Sequence, residues 1–234
     1  VGLSRSTFAR IGAKSLQNKN TVGISIGASS AKFDEINPNF YSIVSPLVNQ
    51  VEKIKSESLK FKCNKTLGIF DSNDPLSVDY KNSFLKLYGE NKKTIDLLEI
   101  EKLKNISESC VFIGINFAKS AKLITDLSKM KIKHIFGTGD WSIHGTELKK
   151  NIENTPQANT QIHTPTGWLP NLNKNSVNFS KKLKEIYKIS PNPIGAYTFD
   201  SLLIAAETIC EKKSIKHIIS SGRVKSFLSR VQVL

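Results

Sequence analysis

The sequence predicts an α/β protein of two lobes, each a parallel sheet covered by helices, with one lobe inserted into the other. Three observations lead there. Short apolar runs alternate with amphipathic helical stretches along most of the chain. The runs are apolar throughout rather than alternating, as expected of strands buried on both faces. The repeating units fill residues 47–163 completely, whereas the flanking segments offer too few strands to close a lobe separately. The simplest assembly therefore joins residues 1–46 with 164–234 as a discontinuous, incomplete first lobe and inserts 47–163 as the second.

Val1-Gly2-Leu3 reads as the end of a strand running into a helix over residues 7–16, followed by strands over 22–26 and 40–43. Thr66-Leu67-Gly68-Ile69-Phe70 is the first strand of the inserted lobe; Asp71-Ser72-Asn73-Asp74-Pro75 breaks it and a helix over 76–88 follows. Strands are expected over 94–100 and 110–115, then a helix over 118–130 with Ala121, Leu123, Ile124 and Leu127 on one side. His134-Ile135-Phe136 is a strand ending in Gly137-Thr138-Gly139-Asp140, with a short helix over 146–154 and a strand over 160–163 behind it. Helices over 177–189, 197–211 and 214–231 complete the pattern.

The 234 residues are 39% hydrophobic and 23% charged, an ordinary globular balance. No apolar run approaches the roughly 18 residues that span a bilayer. The net charge of +14 rests almost wholly on lysine, with arginine only at Arg5, Arg10, Arg223 and Arg230. The lysines are scattered over many segments, so the charge reads as a solvated surface and no nucleic-acid partner is expected. Cys63, Cys110 and Cys210 show no metal spacing. A bond between Cys63 and Cys110 is open if their strands are neighbours, but three buried free thiols is the reading adopted. The chain starts without a charged segment leading into an apolar core and stops on Val231-Gln232-Val233-Leu234 without a closing turn, so both ends read as cut from a longer protein.

Ligands of open α/β sheets bind beyond the carboxyl ends of the strands, where strand order reverses. At such ends stand Ser6 and Thr7, whose hydroxyls and free backbone N–H groups suit an anion or simply cap a helix. Gly27 and Ser29 follow the next strand, as a ligand contact or an ordinary turn. In the inserted lobe the corresponding ends carry Leu76, Asn116, Asp140 and Trp141. Asp140 suits an ammonium group or a loop cap, and Trp141 an apolar ligand face or the core. Trp168 falls where the chain returns between lobes, lining a cleft or packing at the hinge. No catalytic or metal motif occurs: no HExxH, GxSxG, GxGxxG or GxxxxGK[ST], and His134, His144, His163 and His217 stand alone. No enzyme, cofactor or metal is expected.

Several stretches resemble one family. Asp71-Ser72-Asn73-Asp74-Pro75-Leu76 is similar to the D-x-D-P-Y-G turn of leucine/isoleucine/valine-type periplasmic binding proteins. Phe117-Ala118-Lys119-Ser120-Ala121-Lys122-Leu123-Ile124 resembles that family's Y-P-A-D-A-A-R-L-I helix start, and Gly137-Thr138-Gly139-Asp140-Trp141-Ser142 its G-G-D-G-W-S. Tyr197-Thr198-Phe199-Asp200-Ser201-Leu202-Leu203-Ile204-Ala205 is similar to its G-Y-D-A-V-L-L-L-A, and Ile24-Ser25-Ile26-Gly27-Ala28-Ser29 to its I-S-P-x-A-T/S. The order and spacing of these stretches cover nearly the whole chain.

The resemblance implies the type I periplasmic-binding-protein fold, two Rossmann-like lobes with parallel sheets joined by a hinge. It implies hinge crossings near Val44-Ser45-Pro46 and His163-Thr164-Pro165, a third beyond Leu234, and two further βα units before Val1. Ser6 and Thr7 take the carboxylate-holding places; Gly27 and Ser29 take the amine- and carboxylate-binding ones. Three positions depart. The cleft tyrosine is Leu76, the aromatic before P-A-D-A is Asn116, and the acid that meets a ligand ammonium aligns with Gly139, one position from Asp140. The implied protein is a periplasmic or cell-surface receptor. It would close by hinge motion on a small carboxylate, an amino acid or a relative, for a membrane permease of an ABC transporter or for sensing. The alternative is an interaction protein of the same fold without a ligand, such as an activator lipoprotein of penicillin-binding proteins.

Overall fold

A computed structural model of the chain describes residues 1–2, 6–19, 21–29, 33–105, 108–130, 132–145, 147, 148, 150, 159–212 and 214–220. The chain divides into two compact units. Unit 1 comprises Val1–Pro46 with Thr166–Leu234, and unit 2 comprises Leu47–Pro165.

Unit 2 is built on five parallel strands: β3 Thr66–Phe70, β4 Thr94–Asp96, β5 Cys110–Ile113, β6 His134–Phe136 and β7 Gln161–His163. Their order is β4-β3-β5-β6-β7, so the chain reverses its direction of travel between β3 and β5. The apolar runs of the sequence divide by parity over the two faces. Leu67, Ile69, Val111, Ile113 and Ile135 face a core with Leu123, Ile124 and Leu127 of helix α5, Phe117–Ser128. Phe70, Phe112 and Phe136 face a second core with α3, Leu47–Lys60, and α4, Pro75–Tyr88, through Val51, Ile54, Tyr80 and Phe84. A strand with helices on both sides has no polar face, which is why these segments do not alternate. Phe84 stacks on Phe112 with ring centroids 5.6 Å apart. Each such fully buried apolar side chain contributes about 1.5–3 kcal/mol.

Local signals set the ends of the elements. The Asp74 carboxylate accepts the Leu76 N–H at 3.1 Å and Pro75 occupies the first turn of α4, where its missing N–H costs nothing. That helix stops at Gly89, whose φ of 106° suits glycine. The strand expected over 94–100 ends at Asp96. Its side chain accepts the N–H groups of Leu98 and Ser72, each at 3.0 Å, and turns the chain into a 3-10 segment over Leu97–Asn105. Most of the helix expected over 146–154 lies outside the described residues.

The expectation of three buried free thiols is corrected. Cys63 and Cys110 form a disulfide with Cα atoms 5.8 Å apart, and Cys210 is exposed. The pairing follows from strand order: β3 and β5 are neighbours, and Thr66 stands in register with Cys110.

Unit 1 has a smaller described sheet. Gly2 bridges Ser25 in parallel, and β1 Gly23–Ser25 pairs in parallel with β2 Phe40–Ser42. One core gathers Ile24, Ile43, Trp168, Ala196, Tyr197 and Ile204. The other gathers Ala9 and Ala13 of α1, Ser6–Ser15, with Ala28, Phe33 and Phe40. Phe33 belongs to the short helix α2, Phe33–Ile36. A Cβ on Gly23 would meet the Phe40 ring at 2.4 Å, so only glycine lets β1 and Phe40 approach this closely. Helix α6, Lys174–Lys182, starts three residues before the expected position because Asn173 caps it, and it runs on into a π-turn over Leu183–Tyr187. Helix α7, Pro193–Glu211, also starts earlier, at an Asn192 cap with Pro193 next to it. Of the helix expected over 214–231, α8, Ile215–Ser220, is described and the remainder lies outside the described residues.

Candidate functional site

Parallel strands put all their carboxyl ends on one edge of a sheet. In unit 1, Gly2, β1 and β2 lie side by side in parallel, so the described segments after β1 and β2 leave from the same edge. Ser6 opens α1 four residues after Gly2 and is buried. The side chain of Thr7 lies outside the described residues. Gly27 and Ser29, both partly exposed, follow β1. Their loop is pinned at its centre: Ala28 donates its N–H to Ser25 Oγ at 3.1 Å, and the Ser42 hydroxyl donates to the Ala28 carbonyl at 2.6 Å. Ser42 Oγ also accepts the Val44 N–H at 3.3 Å, which ties the loop to the end of β2. A loop fixed in this way presents its backbone groups without an ordering cost on binding.

Trp168 belongs to the unit 1 core, 1% exposed, with Phe179 edge-on at 6.1 Å. Its indole Nε1 has no hydrogen-bond partner among the described residues. The Tyr197 hydroxyl accepts the Gly167 N–H at 3.2 Å, and burial raises the pKa of this phenol.

In unit 2 the reversal point between β3 and β5 is occupied by charge. Lys119 Nζ lies 2.6 Å from Asp71 Oδ2, while Asp71 Oδ1 accepts the Asn73 N–H at 3.0 Å. The hydrogen bond from Lys119 to Asp71 raises the lysine pKa. Asn116 caps α5 by accepting the Lys119 N–H at 3.1 Å. Leu76 packs its side chain against the aromatic core and presents no cleft tyrosine's hydroxyl.

Asp140 sits in a 3-10 turn over Gly139–His144. Its Oδ2 accepts the Phe117 N–H at 3.0 Å, and its Oδ1 accepts the Thr138 hydroxyl. Burial raises its pKa, with the bonds from Thr138 and Phe117 acting against that rise. The carboxylate thus fastens the start of α5 to the end of β6. Trp141 is fully buried and donates its indole N–H to the Ile115 carbonyl at 2.9 Å. This tryptophan is a core residue whose ring is enclosed within unit 2, not a face open to a ligand. Gly139 donates its N–H to Gln50 Oε1 at 3.2 Å, and that oxygen also accepts the Tyr80 hydroxyl at 2.8 Å.

Sequence reasoning missed Lys119, Gln50, Ser25 and Ser42. For Lys119 a signal was present, since it stands where the resembling family has an aspartate. Gln50 gave none: it lies on α3, 89 residues before the glycine it contacts.

No protein-family model matches the chain, and no curated protein matches it in sequence. Solved structures do match in shape. A leucine-binding protein, LivK, from Thermotoga maritima superposes with a TM-score of 0.79 at 11% identity, over 97% of this chain and 69% of its own. The branched-chain amino acid binding protein LivJ from Streptococcus pneumoniae, solved with isoleucine, gives 0.79 at 14% identity over the same shares. The fold is that of the type I periplasmic binding proteins. A further binding protein of this fold, from R. palustris and solved with benzoate, gives 0.67 at 19% identity, over 91% of this chain and 62% of its own. No described helix is long and apolar enough to cross a membrane.

Proposed function

We propose that this chain is a solute-binding receptor of an ABC transport or sensing system, working outside the cytoplasm and catalysing no reaction. It captures a small carboxylate-bearing ligand, an amino acid or a relative, and delivers it to a membrane permease. The observation that carries the proposal is the edge of unit 1, where Ser6, Gly27 and Ser29 follow adjacent parallel strands and the Gly27–Ser29 loop is pinned by Ser25 and Ser42. Hydroxyls and backbone N–H groups fixed in this way suit the two oxygens of a carboxylate.

Two further observations support it. Isoleucine and benzoate, the ligands of two proteins similar in fold, both carry a carboxylate. The buried Cys63–Cys110 disulfide suits an oxidising compartment. On this reading Thr7 joins Ser6 in holding the carboxylate.

The test is a thermal-unfolding screen of the purified chain against amino acids and simple carboxylic acids. A binder present at about one hundred times its Kd adds roughly 2.7 kcal/mol to stability, and the midpoint rises with concentration. Ser29→Ala should abolish most of that rise while leaving the unliganded midpoint nearly unchanged. A flat response across the screen would overturn the receptor proposal in favour of a ligand-free interaction protein.

A further inference from the structure

We infer that His134 and His163 form a two-histidine site for a divalent transition ion, zinc above all, at the edge of the unit 2 sheet. The inference uses unit 2 alone and does not depend on the receptor reading. The two residues stand on neighbouring parallel strands, β6 and β7, and β7 closes the strand order among the described residues. Phe136 is in register with His163, so His134, two residues earlier on the same face of β6, reaches it diagonally. Because 29 residues separate the two histidines in the chain, no sequence spacing marks the pair. His134 Nδ1 and His163 Nε2 lie 3.2 Å apart. Two imidazole nitrogens on one tetrahedral zinc, each bound at about 2.0–2.1 Å, are separated by about 3.3 Å. The pair already has the bite of a chelate. Neighbouring rings hold it in place: Phe61 packs against both imidazoles at 4.6 Å, and Phe136 stacks on His163 at 4.9 Å. Binding therefore requires little reordering of either side chain.

Both histidines are partly exposed, so an ion can reach them. Burial lowers both pKa values, which leaves both rings neutral near pH 7, the form that ligates a metal. In the neutral pair one ring donates its N–H to the facing nitrogen of the other. Each ring has a second nitrogen that can carry its proton. Moving the donor's proton there frees both facing lone pairs without net proton release, and two N–Zn bonds replace one hydrogen bond. No third His, Cys, Asp or Glu joins the pair among the described residues, so the other coordination places fall to water. The charges within reach oppose each other. Lys133 acts against a cation at His134, while Glu57, itself bonded to Lys53 and Lys60, favours one at His163. The affinity thus rests on the two nitrogens.

The test is a calorimetric titration of Zn2+ into the full chain carrying Cys210→Ser, which removes the exposed free thiol. One ion per chain should bind near neutral pH. His134→Gln and His163→Gln should each weaken binding by about tenfold or more, since even a residue behind a metal ligand is worth that much. His217→Gln, in α8 of unit 1, should leave it unchanged. Affinity should fall as the pH drops below the ordinary imidazole value, because protons compete for the same nitrogens. In the unsubstituted chain, Zn2+ should protect His134 and His163 from acylation by diethyl pyrocarbonate while the exposed His217 stays reactive. Neither heat nor protection, or binding that survives both glutamine substitutions, overturns the inference and leaves the receptor reading untouched.

Discussion

The two units handle their polar strand ends differently. In unit 2 the groups beyond the strands are spent on the unit itself: Asp74, Asp96, Asn116 and Asp140 cap turns or helices, and Asp71 is neutralised by Lys119. In unit 1 the fixing of the Gly27–Ser29 loop falls to Ser25 and Ser42. Their hydroxyls hold Ala28 and leave Gly27 and Ser29 partly exposed on either side. Large exposed apolar side chains also concentrate in unit 1, at Phe8, Ile11, Ile186, Leu202 and Ile209 among others, while unit 2 shows chiefly Leu59 and Leu98. One sheet end is thus closed by its own carboxylates, while the other carries a loop pinned by hydroxyls.

Each unit contains one tryptophan, Trp141 in unit 2 and Trp168 in unit 1, so fluorescence can follow them separately in Trp168→Phe and Trp141→Phe backgrounds. The largest expected effect is that of the disulfide, which spans 47 residues within unit 2. Replacing Cys63 and Cys110 by alanine should lower the stability of unit 2 by about 4 kcal/mol in urea unfolding. The Trp168 signal should hardly move; an equal loss in both signals would break the comparison.

Next in size is Asp140→Ala, which leaves the Phe117 N–H and the Thr138 hydroxyl without their carboxylate. It should cost unit 2 about 2 kcal/mol by the same measurement. Asp140→Asn keeps an oxygen for one of these donors and removes the buried charge, so it should cost clearly less.

The smallest effect is a pH dependence. His134 Nδ1 and His163 Nε2 lie 3.2 Å apart, and Phe61 packs against both rings at 4.6 Å. Burial lowers both pKa values, helped at His134 by Lys133 and at His163 by His134, with Glu57 opposing. The unfolded chain therefore binds these protons more readily. Unit 2 should keep full stability above the ordinary imidazole value of 6.5 and lose some as pH falls through it. Protonating both rings also removes the acceptor that their mutual bond requires. In His163→Gln the slope of stability between about pH 7.5 and 5.5 should flatten. An unchanged slope would show that the pair does not report on the edge strand.

Much of the architecture was legible in the residues. The runs 66–70, 110–113 and 134–136 are apolar at every parity because helices cover both faces, and that pattern needs no partner to be recognised. The ends were less legible. Asp96 stops β4 by bonding Ser72, a residue from another loop, so the local sequence read as a longer strand. The disulfide was not legible, because pairing Cys63 with Cys110 depends on β3 lying beside β5, and strand adjacency is not written in either segment.

At the candidate site the residue types were visible and their assignments were not. Ser6, Gly27, Ser29, Asn116 and Asp140 could be placed after strands from spacing and family resemblance. Whether Asp140 waits for a ligand or secures Phe117, and whether Trp141 faces outward or bonds Ile115, depends on partners more than twenty residues away. By itself the sequence determined the order of elements, the doubly covered strands and the absence of catalytic motifs, since periodicity and motif spacing are local properties. Only the tertiary structure decided which polar groups remain available. A buried carboxylate or amide takes whichever donor the packing brings within about 3 Å, and that choice is made between distant segments.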